Sequence, residues 1–226
     1  MPFVTPDLPQ TEAVIVTMTN AFRADSQLAP VAPNAALHLA AQAFADYLAR
    51  TGTFSHTADG QRPAERTQAA GYTSCMVAEN IAMHQSRQGF GPADLAHRVV
   101  EGWKISAPHR ANLLQTGVTE TGVGIGQSND PVPKFLTVQL FGRPGSYKYS
   151  YTIENRAGQT VSFTLDAQQR SITAATVITQ TACTPRHLGF AAGTVTSNFE
   201  TRSGDRFMIT RGPDGAARVE RITSRP

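Results

Sequence analysis

Residues 103–114, WKISAPHRANLL, place polar side chains among apolar ones across the end of one predicted helix and the start of the next. Pro108 favours the first turn of a short helix, where its missing N–H would have no partner anyway. Before it, apolar residues at three- and four-residue spacing predict a helix over residues 92–105. His109 and Asn112 belong to the short helix, and Asn112 is expected to tie that helix to neighbouring backbone.

The helical period continues upstream of this stretch and changes to a period of two downstream. Val14, Met18 and Phe22 predict one buried face of an opening helix, and Asn34 is the expected N-cap of a second. A short third helix is predicted from residue 63 to residue 70. Alternating residues predict strands, and the predicted strands are Val77–Met83, Thr121–Gln127 and Lys134–Gly142.

From Tyr147 onward no helical pattern is present. Six short alternating runs, separated by turn residues, lie between Tyr147 and Thr223 and predict a small β-sandwich or barrel. The sequence therefore predicts a tail over residues 1–9, a mixed domain over 10–143 and a small all-β domain over 147–226. The predicted fold class is α+β.

Composition excludes several classes of protein. The net charge of +3 is too small for a nucleic-acid-binding chain. No apolar run reaches the roughly 18–20 residues that span a bilayer, so no transmembrane segment is predicted. The charge is uneven, with −1 over residues 1–146 and +4 over residues 147–226. A contact between the basic second domain and an anionic surface, such as the cell envelope, is one interpretation of that excess.

The first ten residues, MPFVTPDLPQ, lack the basic and apolar regions of a signal peptide. Charged residues are 16% of the chain, against about 25% in average soluble proteins. Either the protein is cytoplasmic or its signal has been removed; we expect the second, and with it an extracellular or periplasmic protein. Cys75 and Cys183 either form one bridge or remain two free thiols; we expect free thiols, because a lone cysteine packs well as a small hydrophobe.

Three segments carry polar residues in apolar surroundings and are the candidates for chemistry. They hold His56, Glu79 and His109, in residues 54–57, 78–82 and 103–114. Such side chains could hold a divalent metal, or a Glu beside a His could act as a general base. The alternative is a polar network that pins loops to the helices. The glycines at 122, 124 and 126 indicate close approach of another layer rather than a nucleotide-binding loop.

These segments resemble the CAP superfamily, the cysteine-rich secretory, antigen-five and pathogenesis-related proteins, also called SCP-like. The resemblance covers about residues 12–142 and is greatest to the bacterial branch. It implies a three-layer α–β–α sandwich in a secreted protein. The matching parts are Asn20 with Arg23-Ala24, Leu37 with Ala40 to Ala43, Phe54-Ser55-His56, Gly71-Tyr72, Glu79-Asn80-Ile81-Ala82, Trp103 through Leu114, Thr121-Gly122-Val123-Gly124 and Gln139-Leu140-Phe141-Gly142.

In the animal and plant branch of this family, two His and two acidic residues line a pocket that sometimes holds a metal. By position, His56 and Glu79 match one His and one acid, whereas Ser106 and Leu136 occupy the other two places. The resemblance therefore implies weak or no zinc binding, with His56 and His109 as candidate metal ligands. The candidate pocket residues are His56, Glu79, Asn80, Trp103, Ser106 and His109.

Three functions follow from this resemblance and these residues. The first is a non-catalytic binding protein whose pocket or groove takes a lipid, a peptide or an ion. The second is a peptidase-like hydrolase that uses Glu79 with His56 or His109. The third is a structural protein of the cell envelope, with the β domain setting its location.

Overall fold

The computed structural model describes residues 3–192 and 195–223, without the side chains of residues 192, 195 and 196. The chain divides into two units, Met1–Ser146 and Tyr147–Pro226. The first unit contains α1 (Leu8–Asp25), β1 (Ala32–Pro33), α2 (Ala35–Thr51), α3 (Pro63–Ala69), β2 (Ser74–Gln85), α4 (Pro92–Ile105), α5 (Ala107–Leu113), β3 (Glu120–Gln127) and β4 (Lys134–Pro144).

Local sequence signals set where these helices begin and end. The Asn34 side chain accepts hydrogen bonds from the backbone N–H groups of Ala36 and Leu37, as an N-cap does. Gly52 ends α2 in the left-handed conformation that glycine adopts most readily. Prolines stand in the first turns of α3, α4 and α5, where the absent N–H costs no hydrogen bond.

A four-stranded sheet lies between two helical layers. The strand order is β1–β3–β4–β2, with β3–β4 and β4–β2 antiparallel and β1–β3 parallel. One face of the sheet packs on α1, α4 and α5 through a core that includes Ile15, Val99 and Leu113. The other face packs on α2 through a core that includes Phe44 and Leu140. The predicted three-layer α–β–α sandwich is confirmed.

Glycines bring α2 and β3 closer together than side chains would allow. A Cβ added at residue 122, 124 or 126 would fall inside van der Waals contact with backbone atoms of α2. Because strand residues alternate between faces, these three glycines all point toward α2. The close approach expected from the sequence is therefore present.

The buried stripe of α1 differs from the predicted one. Its four buried residues are Thr11, Ile15, Thr19 and Arg23, whereas the predicted Val14, Met18 and Phe22 are only partly buried. Arg23 is accommodated because its guanidinium donates to the carbonyls of Ala29, Leu113 and Gln115. Those carbonyls satisfy the hydrogen-bonding groups of the buried charge.

The segment before α1 also makes contacts. The Val4 N–H donates to the Gln88 carbonyl, and the Phe90 N–H donates to the Val4 carbonyl. Helix α1 begins at Leu8, two residues before the predicted domain start. Of the predicted tail, residues 1 and 2 lie outside the described part of the chain.

The second unit consists of strands, so the predicted all-β character is confirmed. Its two sheets have the strand orders β10–β9–β6–β7 and β12–β11–β5–β8. Both sheets contribute to one core, with Phe163 and Phe190 from the first and Tyr151 and Phe207 from the second. The strands are β5 (Tyr149–Asn155), β6 (Val161–Leu165), β7 (Gln168–Ile172), β8 (Thr176–Ala182), β9 (His187–Ala192), β10 (Val195–Glu200), β11 (Arg206–Arg211) and β12 (Ala217–Ile222).

The described part of this unit has eight strands rather than the six predicted. One of the six predicted runs, Ser171–Thr179, combines the end of β7 with the first part of β8, which residues 173–175 separate. Ala175 adopts positive φ in that connection, and no glycine signals the turn. The prediction also contained no strand over β9.

Two further results concern the cysteines and the membrane. Neither cysteine is a free thiol, so the expectation of two free thiols is wrong. Among the described residues, no helix combines the length and the apolar character needed to cross a bilayer.

Candidate functional site

Strand β2 lies at one edge of the first unit's sheet and carries two of the predicted site residues on opposite faces. Glu79 pairs with Leu140, whose side chain lies in the core beneath α2. Asn80 pairs with Gln139, which hydrogen-bonds Thr19 of α1 on the other face. Directly paired residues share a face, so Glu79 faces the α2 side and Asn80 the α1 side.

The Glu79 carboxylate is held by two partners. Its Oε1 lies 2.8 Å from Nδ1 of His56, and its Oε2 accepts a hydrogen bond of 2.6 Å from Nη2 of Arg66. Only 1% of the Glu79 side chain is exposed. Burying a carboxylate is costly unless it is paired and hydrogen-bonded, and here both oxygens have a partner.

Arg66, on α3, is the residue that sequence analysis missed. Its guanidinium donates to Asp59 Oδ1 at 2.9 Å and to the carbonyls of Gln61 and His56. It also lies over the ring of Phe44, 3.6 Å from the centroid. The signal that could have found it is electrostatic, since a buried Glu79 requires a cation nearby.

His56 presents its ring to solvent while remaining oriented by Glu79. Nearly half of its side chain, 49%, is exposed. Because Nδ1 faces the carboxylate, Nε2 is the ring atom left for another partner. The fixed ring is therefore the accessible polar group of the His56–Glu79 pair.

His109, on α5, lies close enough to His56 for their charges to interact. Burial, and secondarily the charge of His56, lower the pKa of His109 below its usual value. The backbone carbonyl of His109 accepts a hydrogen bond of 3.1 Å from Asn80 Nδ2. His109 thus belongs to the same end of the sheet as His56 and Glu79.

Two side chains cover the open edge of β2 beside these residues. Asn112 Nδ2 donates to the Glu79 carbonyl at 3.0 Å and to Asn80 Oδ1 at 2.9 Å. Trp103 Nε1 donates to the Ile81 carbonyl at 3.2 Å. These bonds satisfy carbonyls that a neighbouring strand would otherwise have to pair.

The remaining predicted residues do not join the His56–Glu79 contact. Ser106 lies at the junction of α4 and α5, where its side chain makes no capping hydrogen bond. Leu136 is buried in the core beneath α2. Within residues 3–192 and 195–223, no three His, Cys, Asp or Glu side chains converge as a metal-binding group.

Most of the first unit matches the model of a known protein family. The CAP model, described as the cysteine-rich secretory protein family, matches residues 16–141, which is more than half of the chain. The chain belongs to this family. His56, Glu79 and His109 all lie inside the matched CAP domain.

A solved bacterial structure shares the fold of the CAP domain, and a second is similar to it at a lower score. An outer surface protein from Borrelia burgdorferi matches with a TM-score of 0.51 and 22% identity, over 59% of this chain and 92% of that chain. An extracellular SCP-domain protein from Bacillus anthracis matches with a TM-score of 0.49 and 26% identity, over 60% of this chain and 41% of that one. No curated protein matches the chain.

Proposed function

We propose that the protein is a secreted or periplasmic binding protein without catalytic activity. Its CAP domain would take a lipid or a peptide on the surface formed by His56 and His109. The engagement of both Glu79 oxygens inside the protein carries this proposal. A buried carboxylate between a guanidinium and an imidazole offers no exposed oxygen to a substrate, so it supports the site instead of acting as its base.

Exposed apolar residues that are close in sequence to both histidines favour a ligand with an apolar part. Phe54, two residues before His56, is 46% exposed. Ile105, four residues before His109, is 87% exposed. Large apolar side chains beside an oriented polar group are typical of binding surfaces that combine burial with a directional hydrogen bond.

The state of the cysteines supports an extracytoplasmic location. Neither thiol is free, and disulfides persist chiefly in oxidising compartments. We therefore expect no thiol to react when the protein, purified without reductant, is denatured. Two reactive thiols would contradict this placement.

The binding surface can be tested by nuclear magnetic resonance of the two histidine rings. The probes are phosphatidylglycerol vesicles and pooled synthetic peptides rich in Leu and Phe. We expect one probe to shift the His56 and His109 signals, and Ile105→Asp to weaken that response about tenfold or more, as loss of a large apolar contact would. The matched control is Leu39→Asp, which changes an exposed leucine of α2 in the same way. Equal weakening by the control, or no response to either probe, would overturn the proposal.

One observation favours hydrolysis as a second candidate. A carboxylate at Nδ1 orients the His56 ring as it does in a general base, leaving Nε2 toward solvent. If this candidate is correct, the protein cleaves peptides or esters with a rate that falls in His56→Gln and follows the ionisation of a histidine. Turnover of that kind would replace the binding proposal.

The third candidate function, a scaffold in the cell envelope, depends on the basic charge of the second unit and has weaker support than binding or hydrolysis. Among its described residues, five arginines form ion pairs with Asp or Glu: Arg156, Arg186, Arg206, Arg218 and Arg221. Paired arginines attract an anionic surface less than unpaired ones do. The ion pairs therefore weaken the argument that this unit holds the protein on an anionic envelope surface.

A further inference from the structure

A groove of about 560 Å³ lies at the sheet edge formed by β3, away from His56 and Glu79. Its walls come from the first half of α1, the start of α2 and β3. Ligand sites commonly have volumes of roughly 300–1,000 Å³ and are mainly apolar with a few polar groups. Its apolar lining residues include Pro9, Ala13, Val16, Pro33 and Ala35.

The groove exists because β1 is too short to cover β3. The two residues of β1 pair only with Glu120 and Thr121. Beyond them, side chains satisfy the outward backbone groups of β3. His38 Nδ1 lies 2.6 Å from the Val123 carbonyl, and the Ile125 N–H donates to Glu12 Oε1 at 3.1 Å.

While the His38 ring is neutral, this hydrogen bonding leaves only acceptors among the ionisable groups of the groove. His38 must carry its proton on Nδ1 to bond a carbonyl, so its Nε2 is an acceptor when the ring is neutral. Glu12 Oε2 lies 3.7 Å from His38 Nδ1, beyond hydrogen-bond distance. None of the described lining residues is Lys or Arg.

The start of α2 does not reverse this charge preference. Its N–H groups at Ala36 and Leu37 already donate to the Asn34 side chain. Two of the first-turn donors that an anion would use are therefore occupied.

We infer that this groove binds a small organic ammonium ion with an apolar body. The ammonium would donate to Glu12 Oε2 and to His38 Nε2, and the body would pack on Ala13, Val16 and Pro33. This site is separate from the His56 surface, so the two can fail independently.

The environment of Glu12 supports the same conclusion. Burial raises the pKa of Glu12, and the nearby Asp46 contributes to that rise, while His38 and the Ile125 N–H oppose it. Because burial destabilises the ionised form of Glu12, a bound cation would stabilise that form. Residues that are held in an unfavourable state often mark functional sites.

The experiment measures binding of n-octylammonium, octanoate and octanol to the full chain by calorimetry. We expect octylammonium to bind about tenfold or more tightly than the other two, because only it makes charge-assisted hydrogen bonds. Glu12→Gln keeps an acceptor for the Ile125 N–H and should weaken octylammonium binding about tenfold. Glu101→Gln, the same change on α4, should leave it unaltered.

A second variant tests the space in the groove and leaves the charge of Glu12 unchanged. Ala13→Phe places a ring in the groove from an exposed position of α1 and should abolish binding without unfolding the helix. Equal binding of octanol, tighter binding of octanoate, or an unchanged affinity in Glu12→Gln overturns the inference. Absence of octylammonium binding at millimolar concentration overturns it as well. The His56 signals should not move on titration with octylammonium.

Discussion

The two edges of the CAP-domain sheet are closed in different ways. At β2, uncharged donors from Trp103 and Asn112 satisfy the outward carbonyls. At β3, the ionisable Glu12 and His38, with Gln42, satisfy the outward backbone groups. Side chains can thus replace a missing strand at either edge, with uncharged groups at β2 and ionisable groups at β3.

Trp103→Ala should have the largest effect, because it opens the β2 edge and empties a buried site. Loss of a buried tryptophan costs about 3–5 kcal/mol of unfolding free energy. Urea unfolding followed by circular dichroism measures it. Trp103→Phe keeps most of the packing and loses the bond to the Ile81 carbonyl, so it should cost less. If the two variants are equally destabilised, the hydrogen bond outweighs the packing.

Asn112→Ala should have an intermediate effect. It removes the donor to Glu79 and Asn80 and leaves partly buried acceptors unsatisfied, which costs about 1–3 kcal/mol. Asn112→Asp is the matched change, because it keeps the shape but has no N–H to donate. Both variants should lower the urea midpoint; a wild-type midpoint in Asn112→Asp would show that these bonds do not stabilise the edge.

The folding stability contributed by the β2 side should also depend on pH, and it should fall in acid. The pKa of His109 is lowered in the folded state, so the unfolded chain binds more protons in acid. Stability should therefore be complete above about pH 6.5, the ordinary histidine value, and fall as pH drops below it. His109→Asn should flatten that part of the stability curve, whereas His97→Asn, a change on α4, should not.

At the β3 edge, folding stability should change with pH in the opposite direction, and this effect should be the smallest. The pKa of Glu12 is raised in the folded state, so stability falls as pH rises from about 4.3 through the folded value. Glu12→Gln should consequently raise the Tm slightly at neutral pH and not at pH 4. A lower Tm at neutral pH would mean that the carboxylate stabilises this edge.

Sequence reasoning succeeded where local chemistry decides the structure. Helix α4 runs over the predicted residues 92–105, since proline sets its start and apolar spacing sets its buried face. The alternating pattern of residues 134–142 likewise gave β4. These signals lie within the segment itself and do not depend on the neighbours that it meets after folding.

It failed where distant residues decide the structure. Arg66 and Arg23 look like surface residues until Glu79 and the carbonyls that end α5 are known to face them. The boundary between β7 and β8 was not predicted, because Ala175 adopts positive φ there without a glycine to signal a turn. The Glu12–His38 groove had no sequence signal, since it depends on how short β1 is.

The glycines of β3 act on folding as well as on packing. A slip of β3 by one residue would present Val123 and Ile125 to the backbone of α2, where a side chain has no room. Helix α2 can therefore dock only on a correctly aligned hairpin of β3 and β4. A misaligned hairpin would leave the apolar face of α2 uncovered, so the docking of α2 stabilises only the correct register.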